Sequence, residues 1–277
     1  MENKVLIVGA GIAGLSAGCY AAKSGFDVII IESHSIAGGN CTSWGRGKYL
    51  FEGGMNWLTG SSSKKAINKL WRFIGALDDS VEISTPEPFC EYIHNGESIK
   101  LFRDVNETER HWLNISPEDA GQIKVVTDNI RKVQEQQMPE FPAETYNEFL
   151  AKFKHEGIRN LIRSGTSESL GVAPLYFSMG IIGTGDGGFP AGGSLPFVKR
   201  IVDKFESLGG KIIYNTRVEK IIMENGKAAG VIAGGKKFNA DAVIATSDTM
   251  AADRLFDAPL SSGWLDKMRK ITAPTMN

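Results

Sequence analysis

The sequence of 277 residues is almost balanced in charge, with 31 Lys and Arg against 32 Asp and Glu, and 42% of its residues are hydrophobic. This length can bury a large core and predicts one large or two interleaved domains. No sustained basic run is present to neutralise a phosphate backbone, which argues against nucleic acid as a partner and favours a small or apolar ligand.

Cysteine content and hydropathy indicate the cellular setting. Three cysteines without CxxC spacing predict neither a disulfide framework nor a zinc site, so a reducing cytoplasm is expected. The N-terminus shows no signal region, and no apolar run approaches the roughly 18 residues that a membrane span needs. Peripheral contact with a membrane surface and the oligomeric state are left open.

The first elements predict a βαβ unit. An apolar strand at 4–8 precedes a small-residue helix at 11–24, which Gly25 ends, and a second buried strand follows at 27–32. Later patterns predict these elements: a Gly-rich loop at 38–60, a helix at 66–77, a hairpin around Asn95-Gly96, a long helix capped by Ser116 and running toward Met138, a helical stretch from 145 to about 163, a helix from Ser194 to Gly209, and a β-meander at 211–246 that returns to the first sheet.

The segment Gly9-Ala10-Gly11-Ile12-Ala13-Gly14 lies between a predicted strand and a predicted helix. In this setting Gly9 permits the tight turn, Gly11 lets the backbone approach a pyrophosphate, and Gly14 lets the helix pack on the sheet. Glu32 at the end of the second strand can bind a ribose hydroxyl and would repel a 2′-phosphate, which disfavours NADP. A Gly-rich turn that binds no ligand is the weaker alternative, because the glycines lie between a predicted strand and a predicted helix and an acid follows at the end of the second strand.

A second glycine pair indicates which cofactor binds. Glu32 followed by Gly38-Gly39 resembles the extended FAD fingerprint of the amine oxidase and phytoene desaturase superfamily, and 51–57 resembles its stretch near the isoalloxazine ring. The family more often has Pro, Ser or His at the positions of Met55 and Asn56. The resemblance implies FAD and this set of cofactor-binding residues: Gly9, Gly11, Ile12, Ala13, Gly14, Glu32, Ser33, Gly38, Gly39, Gly54, Met55, Asn56, Val218 and Thr246.

The downstream half resembles one subgroup of that superfamily. The order of 187–194, the following helix, Gly209-Gly210 and 218–221 is similar to phytoene desaturase, carotenoid isomerase and retinol saturase-like proteins. In them the residue matching Val218 contacts the adenine through its backbone, and 241–246 resembles the strand that returns beside the cofactor.

The resemblance implies an α/β fold in which a Rossmann-like FAD-binding domain, with a parallel sheet and a β-meander, is interrupted by an α+β substrate domain. We expect the FAD-binding domain at 1–60 and 183–250, and the substrate domain at 61–182 and 251–277. Since family members continue well past 400 residues, and 271–277 looks like the entry to a strand, a shortened C-terminus is expected, which would leave the cleft open and favour association.

The expected activity is an FAD-dependent hydride transfer between flavin and an apolar substrate such as a polyene or isoprenoid, of the desaturase, isomerase or saturase type. The alternatives are an amine oxidase-type flavoenzyme, an NAD-binding dehydrogenase, and a non-catalytic binding protein of the GDP-dissociation inhibitor-like fold. No catalytic base and no metal ligands are identified. Cys41 is expected to pack in its loop and not to be redox-active. Four aromatic residues are expected to pack in the core and not to line a substrate channel: Trp57, Trp71, Tyr176 and Phe177.

Overall fold

The computed structural model describes residues 3–166, 168–257, 263–268 and 270. The strand entry expected at 271–277 lies outside them. In chain order the elements are β1 (Lys4–Val8), α1 (Ile12–Lys23), β2 (Asp27–Ile31), β3 (Ser43–Arg46), β4 (Tyr49–Glu52), α2 (Asn68–Phe73), β5 (Ile83–Ser84), β6 (Cys90–His94), β7 (Glu97–Leu101), α3 (Val105–Ile115), α4 (Ala120–Gln134), α5 (Tyr146–Ala151), α6 (Glu156–Gly165), α7 (Ala173–Gly183), β8 (Phe189–Pro190), α8 (Ser194–Ser207), β9 (Lys211–Ile213), β10 (Val218–Glu224), β11 (Lys227–Ala233), β12 (Lys236–Asn239), β13 (Ala242–Ala245), α9 (Thr249–Asp253) and α10 (Gly263–Met268).

The chain divides into two compact units. The first unit takes the described residues of 1–56, 68–82 and 190–277, and the second unit takes those of 57–67 and 83–189. This division assigns 68–82 and the described residues after 250 to the first unit, whereas the sequence-based boundaries assign both to the substrate domain. Those domain boundaries stay a prediction.

The centre of the first unit is a parallel sheet in the order β13-β1-β2-β9. The apolar runs of β1 and β2 suit this position, because a central parallel strand is covered on both faces. Residues along a strand alternate between those faces. Leu6, Val8 and Ile31 join one hydrophobic cluster, and Ile30 lies on the other side beside α1.

Helices α1 and α8 pack against each other on one side of this sheet. Their close approach depends on small residues, because a Cβ on Gly18 would lie 2.9 Å from the Phe205 ring and 3.1 Å from Ile30. Gly25, with φ 88°, adopts the left-handed conformation that ends α1. The small residues of α1, predicted from the sequence, therefore allow α8 to pack closely against it.

The opposite side of the sheet carries the antiparallel meander β10-β11-β12. Val218, Ile221 and Val231 from this meander complete the cluster that Leu6 and Val8 begin. Helices, parallel sheet and meander thus form three layers. The predicted fold class, a Rossmann-like α/β domain with a meander, is confirmed.

The second unit combines the β6–β7 hairpin with helices α3 to α7 around one hydrophobic core. Asn95 and Gly96 turn the hairpin with φ of 49° and 83°, the positive values that a tight two-residue turn requires. Trp112 of α3 is fully buried, and its Nε1 donates to the carbonyl of Lys100 at 2.8 Å. This bond fixes α3 to the hairpin predicted from sequence.

Three helix predictions need correction. The helix expected at 66–77 spans only Asn68–Phe73, because Gly75 with φ 78° ends it. The Ser116 hydroxyl does not cap a helix. It donates to the carboxylate of Asp119 at 2.8 Å, and the α-helix begins only at Ala120 and ends at Gln134, short of Met138.

The stretch expected to be helical from 145 to about 163 divides into α5 and α6. The Asp119 carboxylate accepts the backbone N–H groups of Lys154 at 2.7 Å and of His155 at 2.9 Å. Since these amides bond to a side chain, they are withdrawn from helical hydrogen bonding, and the helix is interrupted there.

No helix in the described part of the chain has the length and apolar content to cross a bilayer.

We predict that Phe205→Ala lowers the free energy of unfolding by about 3–5 kcal/mol, because its fully buried ring fills the space between α1 and α8. Urea unfolding followed by circular dichroism measures the change. Phe26→Ala is the control, since Phe26 is 40% exposed. Equal losses in the two variants would contradict this packing.

Candidate functional site

The loop after β1 is shaped by two glycines. Gly9 has φ 99°, and its N–H donates to the carbonyl of Ile31 at 2.9 Å. A Cβ on Gly14 would lie only 2.0 Å from the Gly9 carbonyl oxygen. The first turn of α1 therefore sits directly against the end of β1, and neither position accommodates a side chain.

Gly11 is different, because the protein itself leaves room there. Its φ of −68° and ψ of 174° are open to any residue, and the heavy atom nearest to a Cβ on Gly11 would be Gly39 Cα at 3.9 Å. Packing therefore does not require a glycine at residue 11. The space beside its backbone is the cradle that a bound phosphate group would occupy.

The N-terminus of α1 is suited to an anion. Gly11 offers no side chain to cap the helix, and the first turn contains no acidic residue. The first-turn amides of Ile12 and Ala13 have no acceptor within the helix, and the helix dipole makes this end positive. Among the residues that the structure describes, no group of three or more His, Cys, Asp or Glu side chains could hold a metal ion.

Glu32 links the loop to the end of β2. Its side chain is buried, with Oε2 accepting from the Ala10 N–H at 2.7 Å and Oε1 accepting from the His34 N–H at 2.7 Å. The Ser33 hydroxyl also donates to Oε1, at 3.3 Å. A carboxylate has about four acceptor positions, so capacity remains for a ligand hydroxyl.

The second glycine pair lies beside the first loop. Gly38 forms a bridge with Gly11, and its N–H donates to the Ala10 carbonyl at 2.9 Å. Gly38 and Gly39 have φ of 127° and 59°. A Cβ on Gly54 would lie 2.0 Å from the Asn40 carbonyl oxygen, which brings the 53–56 segment against the same loop.

Thr246 and Val218 bring later strands to the site. The Thr246 hydroxyl donates to the carbonyls of Val8 at 2.9 Å and Gly9 at 3.2 Å, directly behind the glycine loop. Val218 is buried at the start of β10, in the cluster that contains Val8. Met55 is half-buried and Asn56 is exposed, and they follow Gly54 in the chain.

Sequence reasoning missed the role of Glu52. Its Oε2 accepts the N–H of Ser194 at 3.0 Å, so this carboxylate caps the N-terminus of α8. A Cβ on Gly193 would lie 2.2 Å from Glu52 Oε1, which explains a glycine there. Glu52 and Ser194 are 142 positions apart in the sequence. The only signals of this contact in the sequence are an acid in one Gly-rich stretch and a glycine pair in another.

Cys41 lies in the loop beyond the second glycine pair. Burial raises the pKa of its thiol, the neighbouring Ser194 side chain acts in the opposite direction, and the nearby Glu52 carboxylate raises the pKa further. The thiol therefore stays protonated at neutral pH, which fits the packing interpretation, because a thiolate is the reactive form.

The second unit contains a buried carboxylate that sequence reasoning also missed. Asp186 is 2% exposed and accepts from the N–H groups of Gly60 at 2.7 Å and Ser62 at 3.1 Å, and from the Ser61 hydroxyl at 3.0 Å. Burial acts to raise the pKa of Asp186, but these hydrogen bonds outweigh it and lower the pKa. The ionised carboxylate fixes the 60–62 loop to the Gly-rich segment, and only the glycines around Asp186 signalled its importance.

The four aromatic residues considered for a channel differ in environment. Tyr176 is fully buried and Trp57 packs against the core of the second unit, whereas Phe177 is 37% exposed. Trp71 packs edge-on against Phe197 in the first unit, with ring centroids 5.6 Å apart. Core packing therefore accounts for three of them.

The chain is similar to curated proteins whose names describe isomerases and desaturases of carotenoids. Prolycopene isomerase 1 of an Oncidium hybrid cultivar, described as chloroplastic, is 23% identical over 89% of this chain and 48% of its own length. Lycopene-forming phytoene desaturase of a Paracoccus species is 25% identical over 88% of this chain and 54% of its own length. The chain thus spans about half the length of the curated relatives it matches.

A solved structure shares the fold. The crystal structure of an oxidoreductase from Methanosarcina mazei superposes with a TM-score of 0.69 and 22% identity, covering 96% of this chain and 64% of the other. The family model for flavin containing amine oxidoreductase matches residues 12–277. These findings confirm the superfamily resemblance and the expected cofactor, FAD. The chain therefore belongs to the flavin containing amine oxidoreductase family.

Proposed function

We propose that this chain is the cofactor-binding part of an FAD-dependent oxidoreductase that transfers hydride between flavin and an apolar polyene or isoprenoid. The observation that carries the proposal is the combination of the open backbone at Gly11, the uncapped start of α1 and the buried Glu32 carboxylate. The names of the relatives, an isomerase and a desaturase of carotenoids, support the substrate class.

In this proposal the residues of the first unit hold FAD in three groups. The Gly9–Gly14 loop, with the amides of Ile12 and Ala13, receives the diphosphate. Glu32 and Ser33 bind the ribose, and Val218 lies by the adenine. Gly38, Gly39, Gly54, Met55, Asn56 and Thr246 surround the rest of the cofactor.

The bound flavin would supply the hydride chemistry, and the protein would supply position and electrostatics. The positive end of α1 balances the diphosphate charge. Thr246 fixes the backbone of the glycine loop from behind, and Glu32 fixes it from the side. No proton-transfer residue is assigned.

We further propose that the second unit contributes to binding the apolar substrate, in line with a substrate domain at 61–182. The first unit then contains most of the FAD-binding domain expected at 1–60 and 183–250, together with 68–82 and the described residues after 250, which were expected in the substrate domain. A cytoplasmic location with peripheral membrane contact suits a polyene substrate, because such molecules partition into bilayers. Nucleic acid is not expected as a partner, given a net charge of −1.

Gly11→Ala should weaken FAD binding at least tenfold while leaving the free energy of unfolding nearly unchanged, because only the ligand competes for the space. Gly14→Ala is the matched comparison. Its Cβ would clash with the Gly9 carbonyl, so stability should fall as well. Flavin fluorescence titration and urea unfolding measure the two effects. Unchanged FAD affinity in Gly11→Ala would remove the loop from the site.

Glu32→Gln should weaken FAD binding by about one to two orders of magnitude, the equivalent of roughly 1.5–3 kcal/mol for a charge-assisted hydrogen bond. The amide group of Gln donates, so it cannot accept from both Ala10 and His34. Isothermal calorimetry measures the affinity, with exposed Glu206→Gln as the control. If both variants bind FAD equally well, Glu32 has no part in the cofactor site.

The reaction can be tested anaerobically with the FAD-loaded protein and phytoene in detergent micelles. Flavin absorbance should decrease as a polyene with an additional double bond forms, and chromatography should detect that product. Putrescine tests the amine oxidase alternative and should leave the flavin oxidised. Reduction by putrescine but not by phytoene would overturn the proposed substrate class, and a folded protein without flavin would overturn the cofactor assignment.

A further inference from the structure

A cavity of about 600 Å³ lies within the first unit, between α8 and the loop that follows β2. This volume is in the range of sites that bind small molecules. The apolar part of its wall comes from both elements and consists of Leu195, Val198 and Val202 on α8 and of Ile36 and Ala37 on the loop. Most of the cavity is therefore suited to a hydrocarbon chain.

The loop that forms one wall of this cavity is held in place at both ends. At its start, the Glu32 carbonyl accepts from the Thr216 N–H at 2.9 Å, and the His34 carbonyl accepts from the Asn215 N–H at 3.0 Å. At its end, a Cβ on Gly38 would lie only 3.1 Å from a methyl group of α8, so the loop packs directly on that helix. The cavity is therefore preformed, and a ligand would bind without ordering its walls.

The end of the cavity near the C-terminus of α8 is polar, and its lining there includes Asp203, Glu206 and Tyr214. The described lining contains one cation, Lys199, whose Nζ donates to the two carboxylate oxygens of Asp203 at 2.8 and 2.9 Å. Among the residues that the structure describes, Glu206 forms no ion pair. The lining therefore carries one negative charge that no cation balances.

Two further features make this end of the cavity attractive to a cation. Glu206 lies in the last turn of α8, where the helix dipole is negative. Burial raises the pKa of Tyr214, and the Glu206 and Glu32 carboxylates raise it further. The phenol of Tyr214 therefore stays protonated at neutral pH, and its oxygen can accept a hydrogen bond from an ammonium group.

We propose that this cavity binds an elongated apolar amine, with its hydrocarbon part along α8 and its ammonium group beside Glu206 and Tyr214. From Leu195 to Glu206 the helix advances about 16 Å, which accommodates an extended alkyl chain. A carboxylate in place of the ammonium would face the like charge of Glu206, and an alcohol would form no ion pair. The inference goes beyond the proposed function, because the described lining shares no residue with the set assigned to FAD.

The test is isothermal calorimetry of the full chain, without added FAD, with decylamine, decanol and decanoate at concentrations below those at which they aggregate. At pH 7.5 an alkyl amine is protonated, as a lysine side chain is. Decylamine should bind at one saturable site, and decanoate should bind about tenfold or more weakly, because attraction to Glu206 is replaced by repulsion. Added salt should reduce this difference, and decanol should lie between the two.

Two variants assign the site to this cavity. Glu206→Gln should weaken decylamine binding about threefold to fivefold and leave decanol binding unchanged, whereas Glu118→Gln, which removes an exposed charge in the second unit, should change neither. Val202→Trp should fill the cavity and abolish binding of all three compounds. Its control is Leu70→Trp on α2, where the replaced side chain is exposed. Circular dichroism checks that each variant is folded.

Equal affinities for decylamine and decanoate, or unchanged binding in a folded Val202→Trp variant, would overturn the proposal. Release of decylamine by saturating FAD would also overturn it, since the amine would then occupy the cofactor site. Light scattering of the chain alone that rises with concentration and returns to the monomer value in Val202→Trp would assign the cavity to a second copy instead. Since the decylamine titrations contain no flavin, failure of the chain to bind FAD would leave their result intact.

Discussion

The constraint on which the first unit depends is the contact between Gly14 and the Gly9 carbonyl oxygen. A Cβ at Gly14 would lie 2.0 Å from that atom, so the helix can begin directly behind the strand only if residue 14 is a glycine. This closeness aims the first-turn amides of α1 at the carboxyl end of the sheet. It also leaves Gly11 facing open space, which makes the loop a receptor for an anion.

Other elements of the site serve to hold that loop. Glu32 from β2 bonds the Ala10 amide, Thr246 after β13 bonds the Gly9 carbonyl, and Gly38 bonds the Ala10 carbonyl. Residues 32, 38 and 246 therefore converge on the backbone of Gly9 and Ala10. A loop held in this way is preorganised, so binding a dinucleotide would not require further ordering of its backbone.

Two carboxylates hold together segments that are far apart in the sequence. Glu52 in the first unit accepts one backbone N–H group, from Ser194, and the buried Asp186 in the second unit accepts two, from Gly60 and Ser62. A buried carboxylate is stable only with such donors, so Asp186 fixes the 60–62 loop that supplies them. Gly-rich segments, which lack side chains of their own, gain defined positions through these contacts.

The sequence by itself determined the βαβ unit, the Asn95-Gly96 hairpin and the meander, because each depends on neighbouring residues whose spacing is set by the backbone. FAD as the cofactor came from the resemblance of Glu32 and Gly38-Gly39 to a family fingerprint. The tertiary structure alone decided the capping of α8 by Glu52, the clamp at Asp186 and the interruption between α5 and α6 by Asp119. These features depend on hydrogen bonds between residues 35 to 142 positions apart. Local pattern carries no information about which distant amide a carboxylate will meet, since only the folded core brings the two together.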